Sequence, residues 1–211
     1  MRGSRNLFVW VGNVMSLRKK AATPRVVISL LLLTLLTSAC SSLISVTRSG
    51  PIQEDYGKRS FGRFIDDGLI ETKTKVNIRK AHAELKKAHI GVTSYNGIVL
   101  LAGQVPNAEL QQLAGEVAKN TRNVKRVHNE LSIAGPISLP ARSNDSWLTT
   151  KVKSKLLASG KVKGRRVKVV TESGVVYLMG LVTRGEADQV VNTIRGTFGV
   201  QKIVRIFEYI D

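Results

Sequence analysis

Apolar and polar positions along this chain of 211 residues follow one pattern that occurs twice, the second copy about 77 residues after the first. Ile70, Thr74, Ile78, Ala81 and Leu85 in the first copy, and Leu148, Val152 and Leu156 in the second, recur at helical spacing and so share one helix face. A hairpin pattern follows each helix. Val92 to Val105 aligns without gaps with Val169 to Val182, two strand-like runs split by Asn96-Gly97 in one copy and Ser173-Gly174 in the other. Gly97 and Gly174 suit a tight hairpin because glycine accepts the positive φ it demands. Gly103 and Gly180 interrupt the second run at the same place. That predicts a bulge or a close backbone approach, so all four glycines are read as structural.

Each hairpin leads into a second helix, with Leu110, Leu113, Ala114 and Val117 matched by Ala187, Val190, Val191 and Ile194. Thr183-Arg184-Gly185-Glu186 reads as a capping box. A β-rich segment closes each copy, Val124 to Ile133 and Val200 to Ile210. The pattern predicts an α+β chain of two tandem small αββαβ modules, each a three-stranded mixed sheet packed with two helices and closed by a right-handed parallel crossover. The expected boundaries are 66–134 for module 1 and 144–211 for module 2. Residues 135–143, rich in Gly, Pro and Ser, read as a linker, and residues 40–65 as a polar tether, mobile near its start. Asp66-Asp67, and Asp145 in the second copy, read as helix starts, where carboxylates suit the dipole.

Upstream, Val26 to Leu36 is an apolar run of eleven residues, nine of them Val, Ile or Leu, preceded by Arg18, Lys19, Lys20 and Arg25. The run is too short to span a bilayer and suits a secretory signal over residues 1–39. It ends at Leu36-Thr37-Ser38-Ala39-Cys40, where a bacterial lipoprotein is cut and acylated. Cys40, the only cysteine, is therefore the expected lipidation site, carrying N-acyl and diacylglycerol groups and no other cofactor. Ser41 follows where inner-membrane retention favours Asp, so the expected address is the periplasmic face of the outer membrane. Met1 and Met15 are alternative starts.

The address changes what the charge means. The whole chain carries a formal net charge of +18, and losing the six basic residues before Cys40 leaves a strongly basic mature protein. In the periplasm such charge meets anionic phospholipid head groups rather than nucleic acid. Residues 66–134 hold ten basic and seven acidic side chains, and residues 141–211 hold thirteen and six, so module 2 is the better partner for anionic lipid. Trp147, Lys151 and Lys155 recur every four residues beside the apolar stripe that begins at Leu148. Tryptophan prefers head-group depth, and each basic residue near an anionic surface contributes on the order of 1 kcal/mol. Trp147, Leu148, Lys151, Lys155, Lys161 and Lys163 are accordingly the candidate phospholipid-binding residues, with Arg165, Arg166 and Lys168 extending the field. The alternative leaves Trp147 packed on the core or the other module and the lysines as a solvated face. Module 1 has Leu69, Lys73 and Asn77 at the matching places and reads as the more structural copy.

Catalytic chemistry is not indicated. His82, His89 and His128 stand in no paired ligand spacing, and no thiol is left for a zinc site. Nucleophile elbow, P-loop and dinucleotide fingerprints are all missing.

The paired V-x-G-I/V-V-x-L-x-G-x-V hairpin, the acid-initiated helix after it (Glu109, Glu186) and the closing strand resemble the BON domain. With the signal, the whole mature chain resembles tandem BON-domain outer-membrane lipoproteins. That resemblance implies a nonenzymatic envelope protein that binds anionic phospholipid and supports outer-membrane integrity. The competing function is a protein-interaction adaptor for an envelope assembly or division complex.

Overall fold

The computed structural model describes residues 59–135, 138–160 and 162–211, all within one compact unit. The signal, Cys40, most of the expected tether and Lys161 lie outside the described residues. Module 1 runs α1 (Phe61–Ala81), a short α2 (Ala83–Lys87), β1 (His89–Tyr95), β2 (Ile98–Val105), α3 (Ala108–Lys119) and β3 (Arg126–Ile133). Module 2 runs α4 (Leu139–Ala158), a 3-10 turn (Gly164–Arg166), β4 (Val167–Glu172), β5 (Val175–Val182), α5 (Arg184–Ile194) and β6 (Lys202–Tyr209).

In each module the middle strand pairs antiparallel with the first and parallel with the third. This is the expected mixed three-stranded sheet. Asn107 caps α3 by accepting from the Leu110 amide, and Thr183 and Glu186 close the expected capping box on α5. Both hairpin residues have positive φ in each copy, 54° and 81° at Asn96-Gly97, 50° and 74° at Ser173-Gly174, so the turns match the twist of their strands. A Cβ on Gly103 would collide with the carbonyl oxygen of His89, and one on Gly180 would stand 2.7 Å from that of Arg166.

Three expectations change. Both leading helices start earlier than the pattern indicated: α1 begins inside the expected tether, and α4 takes residues 139–143 from the expected linker. Pro140 stands in the first turn of α4, where its missing N–H leaves no donor unsatisfied. The face predicted to run from Ile70 to Leu85 is broken at His82, which is extended, so Leu85 reaches the core from α2 while Ala81 stays exposed.

Because α1 and α4 start earlier, Asp67 and Asp145 are not at helix starts. Both are buried in the second turn, and both hold a hairpin turn. Asp67 accepts from the amides of Asn96 (2.8 Å) and Gly97 (2.9 Å), from the Ser94 hydroxyl (2.6 Å) and from the Arg59 guanidinium (2.6 Å). Asp145 accepts from the Ser173 (2.8 Å) and Gly174 (2.9 Å) amides. Burial raises the pKa of Asp67, yet the hydrogen bonds from Ser94, Gly97, Asn96 and Arg59 together outweigh it and hold the carboxyl below its ordinary range.

Three hydrophobic cores order the described residues. Ile70, Ile78 and Leu85 meet Val99, Leu101, Leu110 and Leu131 beneath the helices of module 1. Leu148, Val152 and Leu156 meet Val176, Leu178, Val190 and Ile194 in module 2. Between the sheets, Tyr95, Ile98, Leu100 and Ala102 pack on Tyr177, Met179, Leu181 and Ile206. The sheets therefore face each other, and the helices form the two outer layers. Polar contacts ring this seam. Lys168 binds Glu71 at 2.7 Å, Gln104 donates to Glu172 at 2.8 Å, Asn96 donates to Glu208 at 2.7 Å and the Tyr95 hydroxyl donates to the Arg166 carbonyl at 3.0 Å.

The seam gives a prediction at high pH. Burial first, then the carboxylates of Glu130 and Glu172, push the Tyr177 phenol up to about 12, against about 10 in an unfolded chain. A raised folded pKa contributes stability that is complete below the unfolded value and is lost as pH climbs through the folded one. Tyrosinate absorbance should thus show a late phase that coincides with loss of tertiary structure between about pH 10 and 12. Replacing Tyr177 by Phe should remove that component of alkaline sensitivity.

Candidate functional site

An exposed aromatic and basic surface of module 2 forms where α4 meets the turn between α5 and β6. Leu148, Val152 and Leu156 fix the inner face of α4 in the core, which leaves Trp147, Lys151 and Lys155 along one outer flank. The turn is built by hydrogen bonds from Thr197 N to Ile194 O (3.0 Å) and from Val200 N to Thr197 O (3.1 Å). It is flanked by Gly196 and Gly199, both with positive φ. Gly199 lies against the Leu148 side chain, and Lys155 Nζ donates to Thr197 Oγ1 at 3.2 Å. This arrangement sets Phe198 at the tip, 83% exposed, beside Trp147, 54% exposed. The Lys151 ammonium lies between them, 4.6 Å from the Trp147 ring centroid and 5.6 Å from that of Phe198. A cation held between two exposed aromatic faces is a preformed amphipathic wedge.

The structure sorts the sequence-predicted residues unequally. Trp147, Lys151 and Lys155 come together with Phe198. Leu148 does not join them: it is fully buried in the module 2 core, because the next residue along a helix turns well away from its neighbour. It supports the site and does not face lipid. Lys163 is exposed and lies 3.6 Å from Glu186, and Arg166 shares that carboxylate at 3.6 Å. Lys168 is drawn into the seam with Glu71 rather than extending the outer positive field. Phe198 was missed by the sequence reading. Its signal was an aromatic between two turn glycines, at a place where the first copy has Arg122 before Asn123-Val124.

Among the described residues no helix is long and apolar enough to cross a membrane, and no group of three or more His, Cys, Asp or Glu could hold a metal.

The BON-domain profile matches residues 66–135 and again residues 144–210. The chain belongs to the BON-domain family. Outer membrane lipoprotein DolP of Haemophilus influenzae is 40% identical over 72% of this chain and 79% of its own length. The 21 kDa hemolysin of Actinobacillus pleuropneumoniae is 37% identical over the same shares. Osmotically-inducible protein Y of Escherichia coli is 31% identical over 71% of this chain and 75% of its own length. This BON-domain protein is thus an outer-membrane lipoprotein, as the apolar segment ending at a lone cysteine led us to expect.

Proposed function

We propose that this BON-domain lipoprotein binds anionic phospholipid through the Trp147, Lys151 and Phe198 wedge of module 2, and in doing so supports outer-membrane integrity. It acts as a binding protein rather than an enzyme. The observation that carries this reading is the Lys151 ammonium held between two exposed rings on the more basic module. Two aromatic bodies entering the head-group region remove apolar surface from water, while Lys151 and Lys155 beside them meet lipid phosphates. Cys40 carries the covalent lipid, so wedge and anchor act on one chain and strengthen each other through effective concentration.

Trp147 is the only tryptophan after Cys40, so its fluorescence reports on the wedge itself. For the mature chain with Cys40→Ser, we expect a blue shift and co-sedimentation with phosphatidylglycerol-containing vesicles and neither with pure phosphatidylcholine. Trp147→Glu or Phe198→Glu should weaken co-sedimentation at least about tenfold, a loss of roughly 1.4 kcal/mol. Binding to neither vesicle type would favour the competing adaptor role, and equal binding to both, or full binding by both variants, would overturn the wedge as an anionic-lipid site.

A further inference from the structure

The outer layer of module 1 carries an apolar ridge that neither its fold nor the module 2 wedge explains. Phe61, Ile65, Leu69, Thr72 and Val76 follow one another at steps of four, four, three and four along α1, which places them on a single face. Phe61 is 77% and Leu69 51% exposed, and Phe64, Ile65 and Val76 are exposed as well. The opposite face of the same helix holds the buried Asp67, Ile70, Thr74 and Ile78. The Thr72 hydroxyl donates to the Gly68 carbonyl at 2.9 Å, so removing water from this face orphans no donor.

The duplicate supplies a control. At the matching positions of α4 module 2 has Leu139, Ser143, Trp147, Thr150 and Ser154, and it folds with the same inner face. The architecture therefore does not require Ile65 or Val76 to be apolar. An exposed apolar stripe that folding does not need points to something that covers it.

We propose that the α1 ridge is a second lipid-binding face, specific for anionic bilayer surface, on the layer opposite the module 2 wedge. Exposed Lys73, Lys75, Arg79 and Lys80 flank the ridge and continue it; they outnumber the acids beside it, half-buried Asp66 and Glu71, and Glu71 is turned to Lys168 and the Ser94 amide in the seam. An apolar stripe bordered by lysine and arginine is the pattern of a helix lying in a membrane interface, where the long cationic stems reach back to the phosphates. Pairing with a second copy would instead crowd like charges along the contact. Position along the chain agrees: Phe61 comes 21 residues after Cys40, so a leaflet holding an acylated Cys40 cannot lie farther than about 75 Å from the ridge, at about 3.6 Å per residue. The inference rests on the reading that this protein works at anionic lipid. Because ridge and wedge lie on opposite layers, one flat bilayer meets them in alternation, whereas two bilayers can be met together.

The mature chain with Cys40→Ser should then cluster phosphatidylglycerol-containing vesicles, seen as rising turbidity, as well as bind them. Phe61→Ser/Ile65→Ser/Leu69→Ser should retain binding and lose clustering, with helix content kept and only a small fall in melting midpoint, because these side chains are about half or more exposed. Trp147→Ser/Phe198→Ser should also lose clustering and should bind more weakly, its remaining affinity carried by the ridge, and the combined variant should fall at least about tenfold in affinity below either. Clustering by the ridge variant at the original rate overturns the proposal, and so does a shift from dimer to monomer in light scattering, which makes the ridge a self-interface. Complete loss of binding in the wedge variant also overturns it and leaves the wedge reading intact. Complete loss in the ridge variant sinks the wedge reading instead.

Discussion

Replacing Asp67 by Ala should cost about 3–5 kcal/mol, the range seen when one partner of a buried ion pair is removed. The carboxylate satisfies Arg59, Ser94 and two turn amides at once, and alanine removes that acceptor from the buried Ser94 hydroxyl and Gly97 amide and from the part-buried Asn96 amide and Arg59 guanidinium. Each orphaned donor costs about 1–3 kcal/mol, and part is recovered as the Arg59 guanidinium moves out to water. Asp145 holds two amides in the same way, at Ser173 and Gly174, so Asp145→Ala should cost less, about 2–3 kcal/mol. Denaturant midpoints at constant slope measure both. A loss below about 1 kcal/mol for Asp67→Ala would mean that water replaces the carboxylate and that the turn does not depend on it. The pH dependence has a definite sign. A depressed folded pKa contributes stability above the ordinary carboxylate range, and that stability disappears as pH falls through the folded value. Asp67→Asn should therefore flatten the acid limb of the stability curve while lowering its plateau.

The second large effect is expected at the seam. Met179 is fully buried between the sheets, and Met179→Lys places an ammonium where its neighbours Leu100, Leu181 and Ile206 offer no acceptor. An isolated buried charge costs several kcal/mol, more than the face-to-face contact can sustain. The outer cores lie on the other faces of the two sheets, so we expect the modules to part with their secondary structure intact. Small-angle scattering should report a larger radius of gyration. Unchanged scattering with a lowered melting midpoint would show instead that the two modules and the seam unfold as one unit. A separated protein should still bind anionic vesicles through Trp147 and Phe198, since that wedge uses no seam residue.

Much of the site was legible in the sequence. Trp147, Lys151 and Lys155 share a flank because helical spacing is local geometry, and the structure keeps them there. Phe198 was not found because its partners are more than forty positions away in the chain; only folding brings the α5–β6 turn beside α4. Leu148 was misassigned for the converse reason, since adjacent positions on a helix face different surroundings and only core packing decides which is inside. Lys168 likewise counted as outer charge until Glu71, in the other module, claimed it. The Asp67 and Asp145 contacts left a trace: each acid precedes the first core residue of its helix by three positions, Ile70 or Leu148. The error was in the helix boundaries, which move readily because caps and a Pro in the first turn give only local signals.

By itself the sequence determined the repeat, the mixed three-stranded sheet of each module, the turn glycines and the lipoprotein address, because these depend on periodicity, on φ and on short motifs. It also held a hint of the seam: Ile98 to Ala102 is apolar without alternation, as a strand covered on both faces must be. Tertiary structure alone decided that each module's open sheet face is covered by the other module, so that the helices look outward on opposite sides. Two residues far apart in sequence meet only when burial of apolar surface across the whole fold outweighs the chain entropy lost in joining them, and no local pattern records that balance.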